Sequence, residues 1–577
     1  MFRDTLKEAL DTHWPGHIHE VTVPPDPSLG DYSLNLAFSL AKAKRRTTQD
    51  VGQEVADYIT AQMPDAIERI EIAGPGFVNV FLKDSFVQAE LGRMEEAGEH
   101  WGMSSIGGGK KVIVEYASPN IAKPMHVGHL RSTIIGDALA NVYEALGYTV
   151  IRWNYIGDWG TQFGKLIAAY KRWGNEADLE EEPIKALVDL YVCFTKESAN
   201  DPTLEQAGRD EFRKLEEGDT ENRTLWERFR ALSLKEFDAM YQRLAVALTD
   251  ETTVTRGESD YEQELRPLIK ELTEGGVAVV GEGGALIVDL ESFGISTPGM
   301  LAKSDGATVY LTRDIASLRE RTIERTPERI LYVVANQQAL HFEQLFAVAE
   351  RMKQKGLFGD ASLPALMHVK YGLVLGSDGK KFSTREGNAV PLANVLDEAE
   401  LRAVRVVREK NPEISEEHAA HIARTVALAA VKYNDLRQHP HSDIVFDWDA
   451  MLDLTGNSGP YLQYTHARLR SILARAGHLS GGGDRSLLRE PTERTAIRHL
   501  MEFPFAVAHS ARFSTLNGLA LYLYELAVTA NRYYEQVRIL EDENVPRKEA
   551  RLVLVTAMAT VLKRGLALLG ISAPERI

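Results

Sequence analysis

At 577 residues, 44% of them apolar and 26% charged, the chain is too long for one hydrophobic core and points to three or four globular domains. A net charge of −17 excludes a protein that coats nucleic acid indiscriminately, no apolar run reaches membrane-spanning length, and the polar start Met1–Trp14 suggests no export signal. The lone Cys193 excludes an internal disulfide and a cysteine-built zinc site, and fits a reducing cytoplasm. The charge is uneven: residues 451–577 carry 16 Lys and Arg against 12 Asp and Glu, and the preceding 450 carry 50 against 71. A mildly basic C-terminal segment on an acidic body is compatible with a docked RNA.

In chain order, residues 1–105 mix helical patterns with short alternating strands such as Phe77–Leu82 and end in the flexible junction Ser104–Gly109. The apolar run Val112–Val114 reads as a buried strand. A helical stripe (Ile134, Ile135, Ala138, Leu139, Val142, Leu146) and a second apolar run, Tyr148–Ile151, follow it. Between strand and helix lies Glu115-Tyr-Ala-Ser-Pro-Asn120, then Lys123 and His126-Val-Gly-His129. This loop lies outside the carboxyl end of a parallel strand, where open α/β sheets bind ligands. Two imidazoles three residues apart at a helix N-terminus favour phosphate, and Gly128 between them leaves room for a flat base.

A charged helical insertion is expected at about 170–270, after which the sheet resumes at Gly283–Asp289. A hairpin turning at Ser304-Asp-Gly306 returns along Ala307–Thr312. Arg329–Val334 and His368–Leu375 read as further strands. The flexible turn Gly376–Gly379 opens a second basic loop, Lys380-Lys381-Phe382-Ser383-Thr384-Arg385. From 391 the pattern is almost wholly helical, and aromatic and basic residues recur at Tyr461, Tyr464, Arg468 and Asn531–Tyr534. Stacking aromatics beside arginines suit single-stranded bases.

His126-Val-Gly-His129 resembles the HIGH motif of class I aminoacyl-tRNA synthetases, and the flanking Ser118–Thr133 resembles the arginyl-tRNA synthetases in particular. The loop Lys380–Arg385 is similar to their KMSKS loop, which closes over the triphosphate, but Thr384 stands where the second lysine would fall. Gly30-Asp-Tyr32, Ala73–Asn79 and the C-terminal segment resemble the same family, so the likeness spans nearly the whole chain. It implies an α/β, Rossmann-like parallel-sheet catalytic domain at 106–390 with the insertion at about 170–270. An N-terminal α+β domain at 1–105 would contact the tRNA elbow, a helical connector would span 391–455, and an all-α anticodon-binding bundle 456–577.

The implied reaction joins L-arginine to tRNA(Arg) through arginyl-adenylate, with ATP, Mg²⁺ carried by the ATP and no protein-only metal site. A cytoplasmic monomer is implied, and pyrophosphate exchange that requires tRNA. His126, His129, Lys381 and Lys123 would be catalytic, Lys123 replacing the missing lysine. Gly128, His129, Lys381, Phe382, Ser383 and Thr384 would bind ATP. Glu115, Asn120, His126, Tyr310, Asp314 and Gln338 would bind arginine, the two carboxylates pairing with its guanidinium. Phe77 and Asn79 would read an elbow base, and Tyr461, Tyr464 and Arg468 the anticodon. The alternatives are a class I synthetase of other specificity, a nucleotidyltransferase, or a non-catalytic RNA-binding paralogue. Nucleotidyltransferases with this motif are usually shorter and lack a helical bundle; loss of a motif histidine or of Lys381 would signal the paralogue, and neither is lost.

Overall fold

The computed structural model describes residues 2–17, 19–249, 252–376, 378–380, 382, 390–410, 412–477 and 483–577. Near the N-terminus β1 (Val21–Thr22), β2 (Tyr32–Leu34), β3 (Ile67–Ala73) and β4 (Phe77–Leu82) form an antiparallel sheet in the order β1-β2-β4-β3. In β4, Val78, Val80 and Leu82 are fully buried on one face, Asn79 and Phe81 are buried on the other, and only Phe77 at its start is exposed, at 42%.

The central sheet is parallel, with β5 (Lys111–Glu115), β6 (Thr149–Ile156) and β7 (Thr253–Gly257) among its strands. A small antiparallel sheet of β8 (Val279–Val280), β9 (Leu286–Val288) and β10 (Gly299–Ala302) intervenes before β11 (Arg329–Ala335) and β12 (Ala365–Tyr371) complete the central one. The central order is β12-β11-β5-β6-β7. Apolar runs such as Val112–Val114 are buried on both faces, as helices covering such a sheet require. The chain runs outward from β5 in both directions, so a crevice opens at the carboxyl ends of β5 and β11, the topological switch point.

Three expectations need correction. The charged stretch is not helical throughout: its helices stop at Arg243 and resume with Glu262–Glu274, and between them Thr253–Gly257 is the sheet's edge strand, as its β-branched residues would indicate. The turn at Ser304–Gly306 forms, but its return arm is a single bridge between Ala302 and Thr308, and Tyr310–Glu320 is a helix. Thr312 Oγ1 bonds Leu301 O, anchoring that first turn. The run His368–Leu375 is two strands, because Gly372 N donates to Pro440 O and pulls β13 (Val374–Gly376) away to pair with β14 (Ile444–Phe446). A Cβ at Gly372 would meet Asp443 Oδ1 and Ser442 O at 2.6 Å, so only glycine allows this approach.

Buried polar contacts tie the remote parts together. Arg494 of the C-terminal bundle grips Asp31 at 2.7 and 3.0 Å, Tyr32 Oη donates to Glu502, and Trp101 Nε1 donates to Leu500 O. The helix Val127–Ala145 is held by Arg131, whose guanidinium forks onto Asp435 in full burial. Among the described residues no helix is long and apolar enough to cross a membrane.

Candidate active site

The loop after β5 is strained and pinned. Ala117, Ser118 and Ala122 have φ of 66°, 45° and 59°, a region that costs non-glycine residues about 1–3 kcal/mol each. Ala117 N donates to Ser132 Oγ, which donates to Val333 O, and Ala122 N donates to Ser233 Oγ. These bonds hold the exposed Asn120 beside Gly157, where a Cβ would come within 1.9 Å of Asn120 Oδ1.

His126 caps the helix Val127–Ala145 in a reciprocal box: its Nδ1 accepts from Gly128 N at 3.0 Å, and His129 Nδ1 accepts from His126 N at 3.1 Å. With both Nδ1 atoms accepting, each neutral ring carries its proton on Nε2 and can offer it as a donor. The rings stack at 3.9 Å. Burial, then the charges of His126 and Lys123, press the His129 imidazole down to about 3, so it is a neutral donor throughout the physiological range. A Cβ at Gly128 would meet His126 Cε1 at 2.8 Å, so the glycine is what admits the capping ring.

The chain that follows the second loop runs beside the first. Val127 N donates to Val390 O and Leu392 N to Met125 O, joining the two loop bases. Phe382 stacks on Phe446 at 5.3 Å, so its ring packs on the β13–β14 pair. Lys381, Ser383 and Thr384 lie outside the described residues. Lys123 is exposed, its ammonium 5.9 Å from the Tyr191 ring and without a carboxylate partner among the described residues.

At the other end of the crevice Glu115 terminates β5, buried, with Oε2 2.6 Å from Arg321 Nη1. Asp314 Oδ2 lies 2.5 Å from His341 Nε2. Burial pulls that imidazole down, but the bond to Asp314 and the charges of Asp314 and Glu115 win and raise it. Tyr310 and Gln338 stand exposed at the starts of the helices Tyr310–Glu320 and Ala339–Gln354. Glu258 is pushed up to about 8 by burial, against Arg313 and with help from Asp314 and Asp158. A cationic planar group entering here would meet three carboxyl groups, and a phosphate at the opposite end would meet the imidazole donors and the exposed ammonium of Lys123.

A family model for the catalytic domain of class I tRNA synthetases (R) matches residues 98–448, one for the arginyl-tRNA synthetase N-terminal domain matches 1–82, and one for the DALR anticodon-binding domain matches 462–577. The arginine–tRNA ligase of Streptococcus thermophilus is 39% identical over 96% of this chain and 95% of its own. The chain belongs to the arginyl-tRNA synthetase family. The corresponding enzyme of Fusobacterium nucleatum is 37% identical over 96% of this chain and 94% of its own. The Thermus thermophilus arginyl-tRNA synthetase structure superposes with a TM-score of 0.83 at 27% identity, covering all of this chain and 99% of that one.

The structure of this arginyl-tRNA synthetase family member sorts the remaining candidates. Phe77 is exposed edge-on to Phe38, whereas Asn79 is buried and its Oδ1 accepts from Ser33 Oγ at 2.8 Å across the β2–β4 pair. In the bundle, Tyr461 Oη and Arg468 Nη1 both engage Asn531, and Arg468 lies over the Tyr464 and Tyr534 rings at 5.0 and 5.6 Å. These residues form one half-exposed cluster across two helices. Sequence reading missed His341, Glu258 and Arg321. His341 follows Gln338 by three residues, a helical spacing that could have revealed it; Arg321 is one of five arginines between positions 313 and 329, and only burial singles it out.

Proposed function

We propose that this chain activates L-arginine with ATP and transfers it to the terminal ribose of tRNA(Arg). The observation that carries the reading is Glu115, at the end of β5, and Asp314, on the helix Tyr310–Glu320, near the crevice whose first loop carries the stacked His126–His129 pair. The arginine carboxylate attacks the α-phosphorus of ATP, and the bond to pyrophosphate breaks. The ribose hydroxyl then attacks the adenylate's carbonyl carbon, and AMP leaves. Both partners in the first step are anions, so the chain's task is placement and neutralisation. His126 and His129 would donate Nε2–H to phosphate oxygens, with Lys123 and Lys381 adding charge and Mg²⁺ arriving on the ATP. Asn120 and His126 would hold the backbone end of arginine, and Tyr310 and Gln338 would close over its side chain. The protein is proposed to act as a monomer. The single cysteine suits the cytoplasm.

The test is charging of tRNA with each of the twenty amino acids. Arginine alone is expected to be esterified, with ATP–pyrophosphate exchange only when tRNA is present; charging with lysine would overturn the assignment, and exchange without tRNA would overturn its second part.

RNA contacts are proposed at both ends, through the exposed Phe77 at the start of β4 and the Tyr461–Tyr464–Arg468 cluster. Stacking of a base on an aromatic ring contributes roughly 1–3 kcal/mol. Phe77→Ala should therefore lower kcat/KM for tRNA by about tenfold, leaving KM for ATP and arginine unchanged. An unchanged tRNA efficiency would remove Phe77 from the contact.

A further inference from the structure

Glu115, Trp153 and Tyr332 are directly opposite one another on β5, β6 and β11, so their side chains share one face of the sheet. Arg321 covers that face. It begins a single π-helical turn, Arg321–Arg325, at the end of the helix that carries Tyr310 and Asp314. Its side chain is 1% exposed, and its guanidinium lies 4.5 Å from the Trp153 ring centroid, 5.4 Å from that of Tyr332 and 5.8 Å from that of Tyr155. The contact with Glu115 Oε2 is close but not aligned as a hydrogen bond, and Nε and Nη1 have no hydrogen-bond acceptor among the described residues. A buried guanidinium held this way must find its compensation in one carboxylate and three ring faces.

We propose that Arg321 is a positioning residue for arginine selection: a resident guanidinium fixes the buried side of the Glu115 carboxylate and turns its other oxygen toward the guanidinium of the substrate. The inference rests on the assignment of Glu115 to the arginine pocket. Its physical basis is that burial works against the charged form of Glu115, and Arg321 is the largest influence in the opposite direction. Asp314 on the neighbouring helix disfavours the charge, and His341 on the helix after β11 favours it. From the flanking strands Trp153, Tyr155 and Tyr332 contribute ring faces and phenols but no further charge. Without Arg321 the carboxyl group would hold its proton to higher pH and lose the contact that sets its rotation, and a protonated Glu115 pairs poorly with a guanidinium.

Steady-state charging with arginine varied, from pH 6.5 to 9, tests this in Arg321→Met and Arg321→Lys. At pH 7 Arg321→Met should raise KM for arginine more than tenfold with KM for ATP within twofold. The arginine effect, measured relative to the unmodified enzyme so that His341 cancels, should shrink as pH rises and Glu115 ionises. Arg321→Lys, which returns a charge without the planar fork, should show a smaller rise and a weaker pH dependence, and it decides the matter if Arg321→Met does not fold. An arginine KM within twofold of the unmodified enzyme, a rise equal at every pH, or parallel rises for arginine and ATP would overturn the proposal. Glu115→Gln separates the two levels. If it leaves KM for arginine unchanged, the pocket assignment fails; if it raises KM while the Arg321 variants do not, only the role of Arg321 fails.

Discussion

Asp314→Ala is expected to raise KM for arginine about a hundredfold with little change for ATP. Removing one partner of a buried ion pair costs roughly 3–5 kcal/mol, and the quarter of the Asp314 side chain that stays exposed places this site at the lower end. About 3 kcal/mol is roughly a hundredfold. The change also strips His341 of the carboxylate that raises it, so the imidazole becomes neutral at lower pH. ATP meets the other end of the crevice and should not register the loss. Equal rises in both constants would mean that Asp314 maintains the fold and does not touch arginine.

His129→Ala should cut turnover by about a hundredfold, the usual cost of about 3 kcal/mol for losing one donor to developing charge. It also removes the acceptor for His126 N, which lowers stability by about 1 kcal/mol. His129→Asn keeps an amide donor and acceptor at that position and should recover part of both losses. Normal turnover in His129→Ala would exclude the ring from the phosphate site. The depressed value of about 3 also sets a sign: below about 6.5 the unfolded chain takes up a proton that the folded site refuses. The His129 contribution to stability is therefore intact above about 6.5 and lost as pH falls toward 3. A thermal unfolding series should show that acid-side loss diminished in His129→Asn.

The N-terminal segment cannot be removed cleanly to test its part in RNA binding. Asp31 and Tyr32 are gripped by Arg494 and Glu502 of the C-terminal bundle, and Trp101 by Leu500 O. Deleting residues 1–100 would leave Arg494 without its carboxylate and strip buried apolar surface from the bundle, so a single exposed side chain such as Phe77 is the better probe.

Local patterns determined much of this protein. The run Val112–Val114, the helical stripe from Ile134 and the spacing of His126 and His129 were legible because strand burial, helix periodicity and capping act over a few residues. The order of motifs along the chain, from Glu115 to Lys381, was enough to suggest the family. Tertiary structure alone decided which groups meet. Gly128 serves the His126 ring, Asn79 bonds Ser33 across a strand pair, and the strand at His368 divides because Pro440, about seventy residues later, accepts from Gly372 N. Arg321 looks like any other arginine of a charged helix until β5, β6 and β11 bring Glu115, Trp153 and Tyr332 beneath it. Burial and charge pairing depend on neighbours distant in the chain, and no local pattern encodes them.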